Sequence, residues 1–481
     1  MAFLSLPFFC FFPLVAAVYF LLPRRFKNIW LLAASWFFYL SAKPVYLAFL
    51  LFAILSTYLT ALILGRKKSK AALALCLLLN GGLLFFFKYL NFTLALAGRA
   101  LTAFGVDFSA PALDLLLPLG ISFYLFQGAG YVIDVYRGKL PPERNFLLYA
   151  LFLSFFPQLL SGPIGRGPDL LPQLKADHPF RYDDVRAGLL RFLWGAFKKA
   201  VLADRLSVLV NTAFAAPADF GSLQLVLAAL AFSIQIYCDF SAYSDMALGA
   251  ARMMGFRLTE NFRTPYFSRS VAEFWRRWHI SLSSWFRDYL YIPLGGSRKG
   301  TLRKYLNVMV VFAVSGLWHG AGLSFLVWGL LNGAYQVVGG VTAPLRGTIR
   351  RRLHLAEDGR LTVLWQVGCT FLLATVAWVF FKAGSLNAAL GFFRGMLGGS
   401  LWVGEISALG LDLPELLAAG LGLLLLLGVD LASTKRDLTA DFLAAKRPLR
   451  WCILWALLFG TLIFGSYGAG YNPQAFIYFQ F

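Results

Sequence analysis

The stretch VVFAVSGLWHGAGLSFLVWGLL, residues 310–331, contains one ionisable side chain, His319, in an otherwise apolar run. No Asp, Glu, Lys or Arg occurs from Val308 to Leu345. A membrane-spanning helix needs about 20 apolar residues, so an uncharged stretch of this length is expected within the membrane. An ionisable residue at that depth is costly to bury, which makes His319 a functional candidate. The alternative is a neutral histidine that hydrogen-bonds between two helices.

The rest of the chain has the composition of a membrane protein. Of the 481 residues, 59% are hydrophobic and 14% are charged, and the mean hydropathy is +0.68. Soluble domains are usually about 45–50% apolar and about 25% charged, so the excess apolar surface is expected to face lipid. The five cysteines lie in apolar stretches without a CxxC spacing, and no HExxH motif occurs. We therefore expect neither a disulfide framework nor a bound metal.

Apolar runs separated by short polar segments predict an all-α, polytopic membrane fold that forms a single domain over residues 1–481. By the length of helix that a bilayer requires, about 11 or more spans are expected. Several runs contain Gly or Pro, and these are expected to be broken or re-entrant. The candidate spans are 2–22, 28–41, 44–64, 71–90, 112–136, 145–162, 222–250, 304–320, 322–343, 361–383, 413–432 and 449–468.

The net charge of +21 results from 44 Lys and Arg against 23 Asp and Glu. Many of the basic residues are clustered between apolar runs, as in the cytoplasmic loops of membrane proteins. These clusters are expected to meet anionic lipid headgroups, not nucleic acid. Met1–Leu22 lacks a basic leader, so we expect a first span with its N-terminus outside the cytoplasm and not a cleaved signal peptide. The clusters comprise Arg24, Arg25 and Lys27; Arg66, Lys67, Lys68 and Lys70; and Arg346, Arg350, Arg351 and Arg352.

A second histidine, His279, stands in EFWRRWHISLSSWFRDYLYIPLGG, residues 273–296. Large apolar residues recur there every three or four positions, which predicts one helix with an apolar stripe that sits at the membrane interface or dips into the membrane. His279 lies off the stripe, so it is equally a polar residue of that face or a member of an acid–base pair with His319. The stripe consists of Trp275, Trp278, Leu282, Trp285 and Tyr289.

Two carboxylates occur in the apolar stretch SIQIYCDFSAYSDM, residues 233–246. Gln235 and Asp239 are four residues apart and share a helix face. Asp239 and Asp245 must be paired, hydrated or protonated in such surroundings. Asp239 could bind an arginine, orient a histidine or line an aqueous pocket, and a structural hydrogen bond is the favoured interpretation. No GxSxG motif occurs, which argues against a Ser–His–Asp hydrolase.

Five motifs in one order resemble the membrane-bound O-acyltransferase family, in the branch of the alginate and peptidoglycan O-acetyltransferase membrane subunits and the teichoic acid D-alanyl transferase. The motifs lie within a family-like core, residues 121–343. They are ISFYLFQGAGYVIDVYRG (121–138), SFFPQLLSGPIGR (154–166), YCDFSAYSDMALGAARMMGF (237–256), NFRTPYFSRSVAEFWRRWHISLSSWFRDYLYIPLGGSR (261–298) and SGLWHG (315–320).

The resemblance implies that His319 is the catalytic histidine and that His279 is the second family histidine, beside a tunnel through a helical bundle. The chain also ends in QAFIYFQF, within the tail 469–481. This ending resembles an FxYxxF ending of the same branch, and the resemblance implies that Tyr478 is a transient acyl carrier. The alternative for Tyr478 is an aromatic anchor at the membrane interface.

These observations predict an O-acyltransferase of the bacterial inner membrane that moves an acetyl group from acetyl-CoA toward an extracytoplasmic polysaccharide. An extracytoplasmic partner enzyme is expected to complete the transfer. From their charge, Arg276, Arg277 and Arg298 are expected to bind the CoA phosphates, and Asp239 belongs to the same candidate donor site. The alternatives are D-alanyl transfer from a carrier protein to teichoic acid and, from another class, a transporter of a lipid-linked sugar.

Overall fold

Helices make up nearly all of the regular structure. The computed structural model describes residues 1–106, 113, 117–160 and 162–467, and no β-strand occurs in those ranges. The prediction of an all-α, polytopic membrane protein is confirmed. The chain forms two compact units, one of residues 1–192 and 246–259 and one of residues 193–245 and 260–481.

The helices up to residue 197 belong mainly to the first unit. They are α1 (Leu6–Leu21), α2 (Arg24–Leu40), α3 (Val45–Arg66), α4 (Lys70–Lys88), α5 (Leu90–Ala103), α6 (Ile121–Tyr136), α7 (Phe146–Ser154), α8 (Phe156–Leu159), α9 (Gly167–Lys175) and α10 (Tyr182–Phe197).

The helices from residue 198 onward belong mainly to the second unit. They begin with a π-helix (Lys198–Ala203), α11 (Asp204–Ala215), α12 (Ser222–Met253), α13 (Val271–Arg277), α14 (Ile280–Phe286) and a second π-helix (Arg287–Tyr291). The remaining helices are α15 (Thr301–His319), α16 (Leu323–Val341), α17 (Ala343–Arg352), α18 (Arg360–Lys382), α19 (Leu386–Gly398), α20 (Leu413–Ser433), α21 (Leu438–Ala444) and α22 (Arg447–Phe464).

Within the described ranges, six helices are long and apolar enough to cross a membrane: α3, α4, α12, α18, α20 and α22. The shorter helix α1 is also apolar. Five of the six correspond to predicted spans with shifts of a few residues, and α12 extends three residues beyond its predicted span.

The predicted span 145–162 is wrong as a single helix. The chain instead forms α7 and α8, which are separated at Phe155. Pro157 occupies the first turn of α8, where its missing N–H and fixed φ are tolerated, whereas in the interior of a longer helix it would remove a hydrogen bond. The predicted span 112–136 also begins later, because α6 starts at Ile121 after Gly120, which has a φ of 73°.

Polar side chains fix several helix starts. Ser5 caps α1, and Ser69 caps α4, each by accepting a hydrogen bond from a backbone N–H of the first turn. Asp412 and Glu415 form a reciprocal capping box at the start of α20. Such caps stabilise a helix end by about 1 kcal/mol because they satisfy donors that the helix leaves unpaired.

Large aromatic side chains form the core of each unit. In the first unit, the rings of Phe8 and Phe156 pack against Phe38 with centroid separations of 6.2 and 5.7 Å. In the second unit, Trp378 packs against Trp278 at 5.0 Å and against Trp328 at 5.7 Å. Trp328 of this second cluster belongs to residues 310–331, the apolar stretch that contains His319.

Candidate active site

Helices α15 and α16 form a hairpin that positions His319. Two glycines allow the helices to approach backbone to backbone: a Cβ on Gly316 would collide with the carbonyl oxygen of Phe325, and one on Gly329 with that of Phe312. Neither neighbour is a side chain that can move aside, so the glycines set the spacing of the hairpin. His319 is the last residue of α15 and therefore lies at the turn of the hairpin.

Three aromatic rings surround the imidazole of His319, which is 3% exposed. Trp318 lies edge-on at a centroid distance of 4.8 Å, Trp328 at 4.9 Å and Phe381 at 5.4 Å. They come from α15, α16 and α18 respectively, so three helices meet at this residue.

The second histidine lies at a sharp break in the chain. The predicted continuous helix through residues 275–289 is wrong, because α13 ends at Arg277 and α14 begins at Ile280. His279 is the N-cap of α14, with φ 44° and ψ 54°, and its carbonyl accepts a hydrogen bond from the N–H of Ser283 at 2.9 Å. This left-handed conformation costs roughly 1–3 kcal/mol for a residue other than glycine. Strain of this kind is often found at functional positions.

The break directs His279 into the protein. Its side chain is completely buried, and its ring packs edge-to-face on Phe240 of α12 at a centroid distance of 4.6 Å. Trp275, Trp278 and Leu282 of the predicted stripe are also buried, and they pack within the protein. Burial lowers the pKa of His279 to about 3, so this histidine is neutral near pH 7.

Trp318 links the two histidines. Its indole lies 4.8 Å from the ring of His319 and 6.1 Å from the ring of His279, measured between centroids. The rings of His279 and His319 thus both pack near the buried indole of Trp318, although the two histidines are 40 residues apart in sequence. The structure therefore brings together the two histidines that the sequence analysis selected.

Asp239 is held in an ion pair. Its Oδ1 lies 2.7 Å from Nζ of Lys199, and the same ammonium lies 2.8 Å from Oδ1 of Asp204. Burial works against the charged lysine, but Asp239 and the other neighbouring anionic groups outweigh it, and the pKa of Lys199 is raised. The geometry matches the favoured sequence interpretation, a structural contact between helices. A role of Asp239 in donor binding stays a prediction.

A second buried lysine lies beside the first on the same π-helix. Nζ of Lys198 donates to Oγ of Ser241 at 2.7 Å and to Oδ2 of Asp245 at 2.5 Å. Sequence reasoning missed both lysines as partners of the aspartates. The signal that was present is their position in the apolar stretch FLWGAFKKAVLA, residues 192–203, where a charge requires a partner.

The three arginines proposed for phosphate binding lie in different surroundings. Arg276 and Arg298 are exposed, whereas Arg277 forms an ion pair with Glu273 at 2.6 Å. Tyr478 and the tail 469–481 lie outside the described residues. Just before the tail, the N–H of Ser466 donates to the carbonyl of Ala200 in the π-helix at 3.0 Å.

The two remaining histidines differ from each other. His354 is exposed, as its polar stretch predicts. His178 is half-buried, with its ring 4.5 Å from that of Phe256 and its Nε2 2.8 Å from the carbonyl of Gln173. His178 also lies in a polar stretch next to charges, which predicts a solvent-exposed side chain. It is partly buried instead, because the turn at Gly255 brings the chain against it.

Comparison with known proteins identifies similar chains. A model of the membrane-bound O-acyltransferase family matches residues 143–383, which include both buried histidines. The "Probable alginate O-acetylase AlgI" of Pseudomonas putida is 39% identical over 401 residues, covering 82% of this chain and 79% of the relative.

More distant relatives have other names. The "Peptidoglycan O-acetyltransferase" of Helicobacter pylori is 36% identical, over 81% of this chain and 78% of its own length. The "Teichoic acid D-alanyltransferase" of Bacillus subtilis is 28% identical, over 46% of this chain and 58% of its own length.

Proposed function

Because this chain belongs to the membrane-bound O-acyltransferase family, we propose that it moves an acetyl group from acetyl-CoA in the cytoplasm toward an extracytoplasmic polysaccharide. The proposed location is the inner membrane of a bacterium. The observation that supports this reaction best is the burial of His319 and His279 against one indole, Trp318. Relatives named as alginate and peptidoglycan O-acetyltransferases support the choice of acetyl group and acceptor.

In the proposed reaction, His319 is the general base. Its neutral imidazole takes the proton of the attacking hydroxyl as the oxygen bonds to the thioester carbonyl. The carbon–sulfur bond then breaks, and the imidazolium returns the proton to the departing thiolate, so that CoA leaves as the thiol. General base catalysis of this kind contributes about 10²–10⁴-fold to a rate.

His279 is proposed to position the donor or to hydrogen-bond the reacting carbonyl. A neutral imidazole carries one N–H, and a donor already held in place stabilises an oxyanion without rearrangement during the reaction. The exposed arginines Arg276 and Arg298 are proposed to contact the CoA phosphates. The ion pair of Arg277 with Glu273 makes Arg277 the weaker candidate of the three.

The rings around His319 favour a short acyl group. An acyl carbonyl that reacts at His319 must lie beside Trp318, Trp328 or Phe381, which border the imidazole on three sides. These side chains are buried, and protein interiors leave few voids larger than a water molecule. Acetyl is the smallest common acyl group that CoA carries, which suits this packing.

Tyr478 is proposed to accept the acetyl group before the polysaccharide does. A phenol has a pKa near 10 and needs a base to become a nucleophile, a role that His319 would fill. The phenyl ester retains transfer potential because phenolate is a better leaving group than an alkoxide. A separate extracytoplasmic acetyltransferase is the proposed partner that passes the group to the polymer.

D-alanyl transfer from a carrier protein is the second candidate, supported by the similarity to the Bacillus subtilis enzyme. That similarity covers less of the chain and is lower than the similarity to the O-acetyltransferases. Membership of an acyltransferase family also favours an enzyme over a transporter of a lipid-linked sugar.

The test uses the full-length protein in lipid nanodiscs with acetyl-CoA. CoA release is followed over time, and mass spectrometry measures acetyl on the C-terminal peptide. His319→Ala should abolish both signals, whereas Tyr478→Phe should abolish the peptide adduct. The matched controls are His354→Ala, an exposed histidine, and Tyr471→Phe, the other tyrosine of the tail.

The outcomes separate the candidates. An adduct that disappears in both variants and persists in both controls supports the acetyl-tyrosine route. CoA release without an adduct keeps the acetyltransferase but contradicts the intermediate. If only a D-alanyl carrier protein supplies the acyl group, the proposed donor is wrong and the second candidate replaces it.

A further inference from the structure

The left-handed turn at His279 is braced by a loop distant from it in sequence. The backbone N–H of Ile280 donates to the carbonyl of Asn261 at 3.0 Å, and the N–H of Arg263 donates to the carbonyl of Arg277 at 2.9 Å. These two hydrogen bonds lie on either side of the Trp278–His279 pair. The loop therefore holds both ends of the strained segment.

The side chain of Asn261 adds three hydrogen bonds to this brace. Its Oδ1 accepts from Oγ of Ser281 at 2.7 Å and from the N–H of Ser281 at 3.3 Å. Its Nδ2 donates to Oγ of Ser244 on α12 at 3.3 Å. Asn261 is 1% exposed, so these bonds replace contacts with water that the amide has lost. One buried amide thus joins the start of α14 to α12.

The same connection reaches the ring of His279. Phe240 of α12, against which that ring packs, also packs edge-on against Phe262 at a centroid distance of 4.9 Å. Phe262 in turn lies 5.0 Å from Trp278. The residue after Asn261 therefore fixes the aromatic surface beside His279, while Asn261 fixes the backbone.

We propose that Asn261 is a positioning residue that holds His279 in its left-handed turn and so directs the imidazole toward Trp318 and the reacting acyl group. This inference rests on the role of His279 in the proposed function. It predicts that loss of the Asn261 side chain impairs the geometry of His279 while leaving that of His319 intact.

The first measurement does not depend on activity. The full-length protein in nanodiscs is treated with diethylpyrocarbonate, and carbethoxylation is measured on separate peptides that contain His279 and His319. Both histidines should react slowly in the wild type because both are buried. In Asn261→Ala, His279 should react at least about tenfold faster, whereas His319 should stay protected.

The second measurement is acyl transfer. Because a misplacement of about 1 Å can reduce a rate roughly 10²-fold, kcat of Asn261→Ala should fall by about that factor. The KM for the donor should change little if the lost contact is made only in the transition state. Asn261→Asp keeps the acceptor for Ser281 and loses the donor to Ser244, so part of the rate should return.

Asn307→Ala is the matched control. Asn307 is also 1% exposed, and its side chain donates to the carbonyl of Gly296 at 2.9 Å. The control should lose similar stability and leave the labelling of His279 unchanged. If Asn261→Ala does not fold, Ser281→Ala removes one bond of the brace and should raise the labelling of His279 by a smaller factor.

The proposal is overturned if the labelling of His279 is unchanged in both Asn261→Ala and Ser281→Ala. It is also overturned if the two histidines become reactive together, or if Asn307→Ala has the same effect as Asn261→Ala. Selective labelling of His279 in Asn261→Ala would support the positioning role of Asn261 even if the wild type showed no acyl transfer. The absence of acyl transfer in the wild type would contradict the proposed function alone, so the two failures are distinguishable.

Discussion

His319 and Asp239 are both buried ionisable residues in apolar helices, but the protein surrounds them differently. Aromatic edges from three helices enclose the imidazole of His319. The carboxylate of Asp239 instead meets the ammonium of Lys199, which also contacts Asp204. The first region is a cluster of aromatic rings around a histidine, and the second is a compact ion-pair network.

The difference indicates which buried polar residue is available for chemistry. Removal of one member of a buried ion pair leaves an uncompensated charge, which destabilises a fold. The imidazole of His319 instead packs against the rings of Trp318, Trp328 and Phe381. The reaction that we propose lies in the aromatic region, whereas the ion pairs of the second region connect α12 to the π-helix at residues 198–203.

The largest effect is expected in the ion-pair region. Lys199→Met leaves two buried carboxylates without their shared cation and should destabilise the protein by about 3–5 kcal/mol. Thermal unfolding and the yield of folded protein in detergent measure this loss.

The matched control for this variant is Lys435→Met, an exposed lysine whose replacement should change stability by less than about 0.5 kcal/mol. Equal stability of Lys199→Met and Lys435→Met would show that the network is not structural, and the contrast between the two regions would fail.

A smaller effect is expected from pH. Burial lowers the pKa of His279 to about 3, from the ordinary value of 6.5. The unfolded chain therefore binds a proton that the folded protein does not, and stability is lost as the pH falls from about 6.5 toward 3. Between pH 7 and pH 5 this residue should account for a loss of about 2 kcal/mol.

The pH effect is measured as the decrease in unfolding midpoint between these two pH values. It should be smaller in His279→Asn, which lacks the titrating group and tolerates the left-handed turn. His354→Asn is the matched control, because His354 also has a positive φ, 52°, but is exposed. A decrease that is the same in His279→Asn as in the wild type contradicts the prediction.

The smallest effect is expected at the aromatic rings that pack against His319. Trp328→Phe replaces an indole beside His319 with a smaller ring and should admit a longer acyl chain. We expect the ratio of propionyl to acetyl transfer to rise about tenfold, because one methylene in an apolar pocket is worth about 1–3 kcal/mol. Kinetics with the two CoA thioesters measure the ratio.

The control for acyl selectivity is Trp365→Phe, since Trp365 is 74% exposed on α18. It should leave the ratio unchanged. An unchanged ratio of propionyl to acetyl transfer in Trp328→Phe would mean that the acyl chain does not contact Trp328.

Much of this site was predictable from local sequence. His319 stood out because no charged residue surrounds it, and the spacing of apolar residues predicted most helices. The prediction of one continuous helix through His279 was wrong, because the spacing of apolar residues carries no information about a break that residues distant in sequence stabilise. Nothing in residues 273–296 specifies that Asn261 accepts hydrogen bonds from Ile280 and Ser281.

The sequence by itself determined that this is an all-α membrane protein, selected the two buried histidines and carried the motifs of its family. Hydrophobicity and family motifs are properties of consecutive residues, so they can be read along the chain. Only the tertiary structure decided that His279 and His319 meet at Trp318 and that Lys199 neutralises Asp239. These contacts join residues about 40 positions apart, and burying a strained turn or a charge is tolerated only where distant side chains supply its partners.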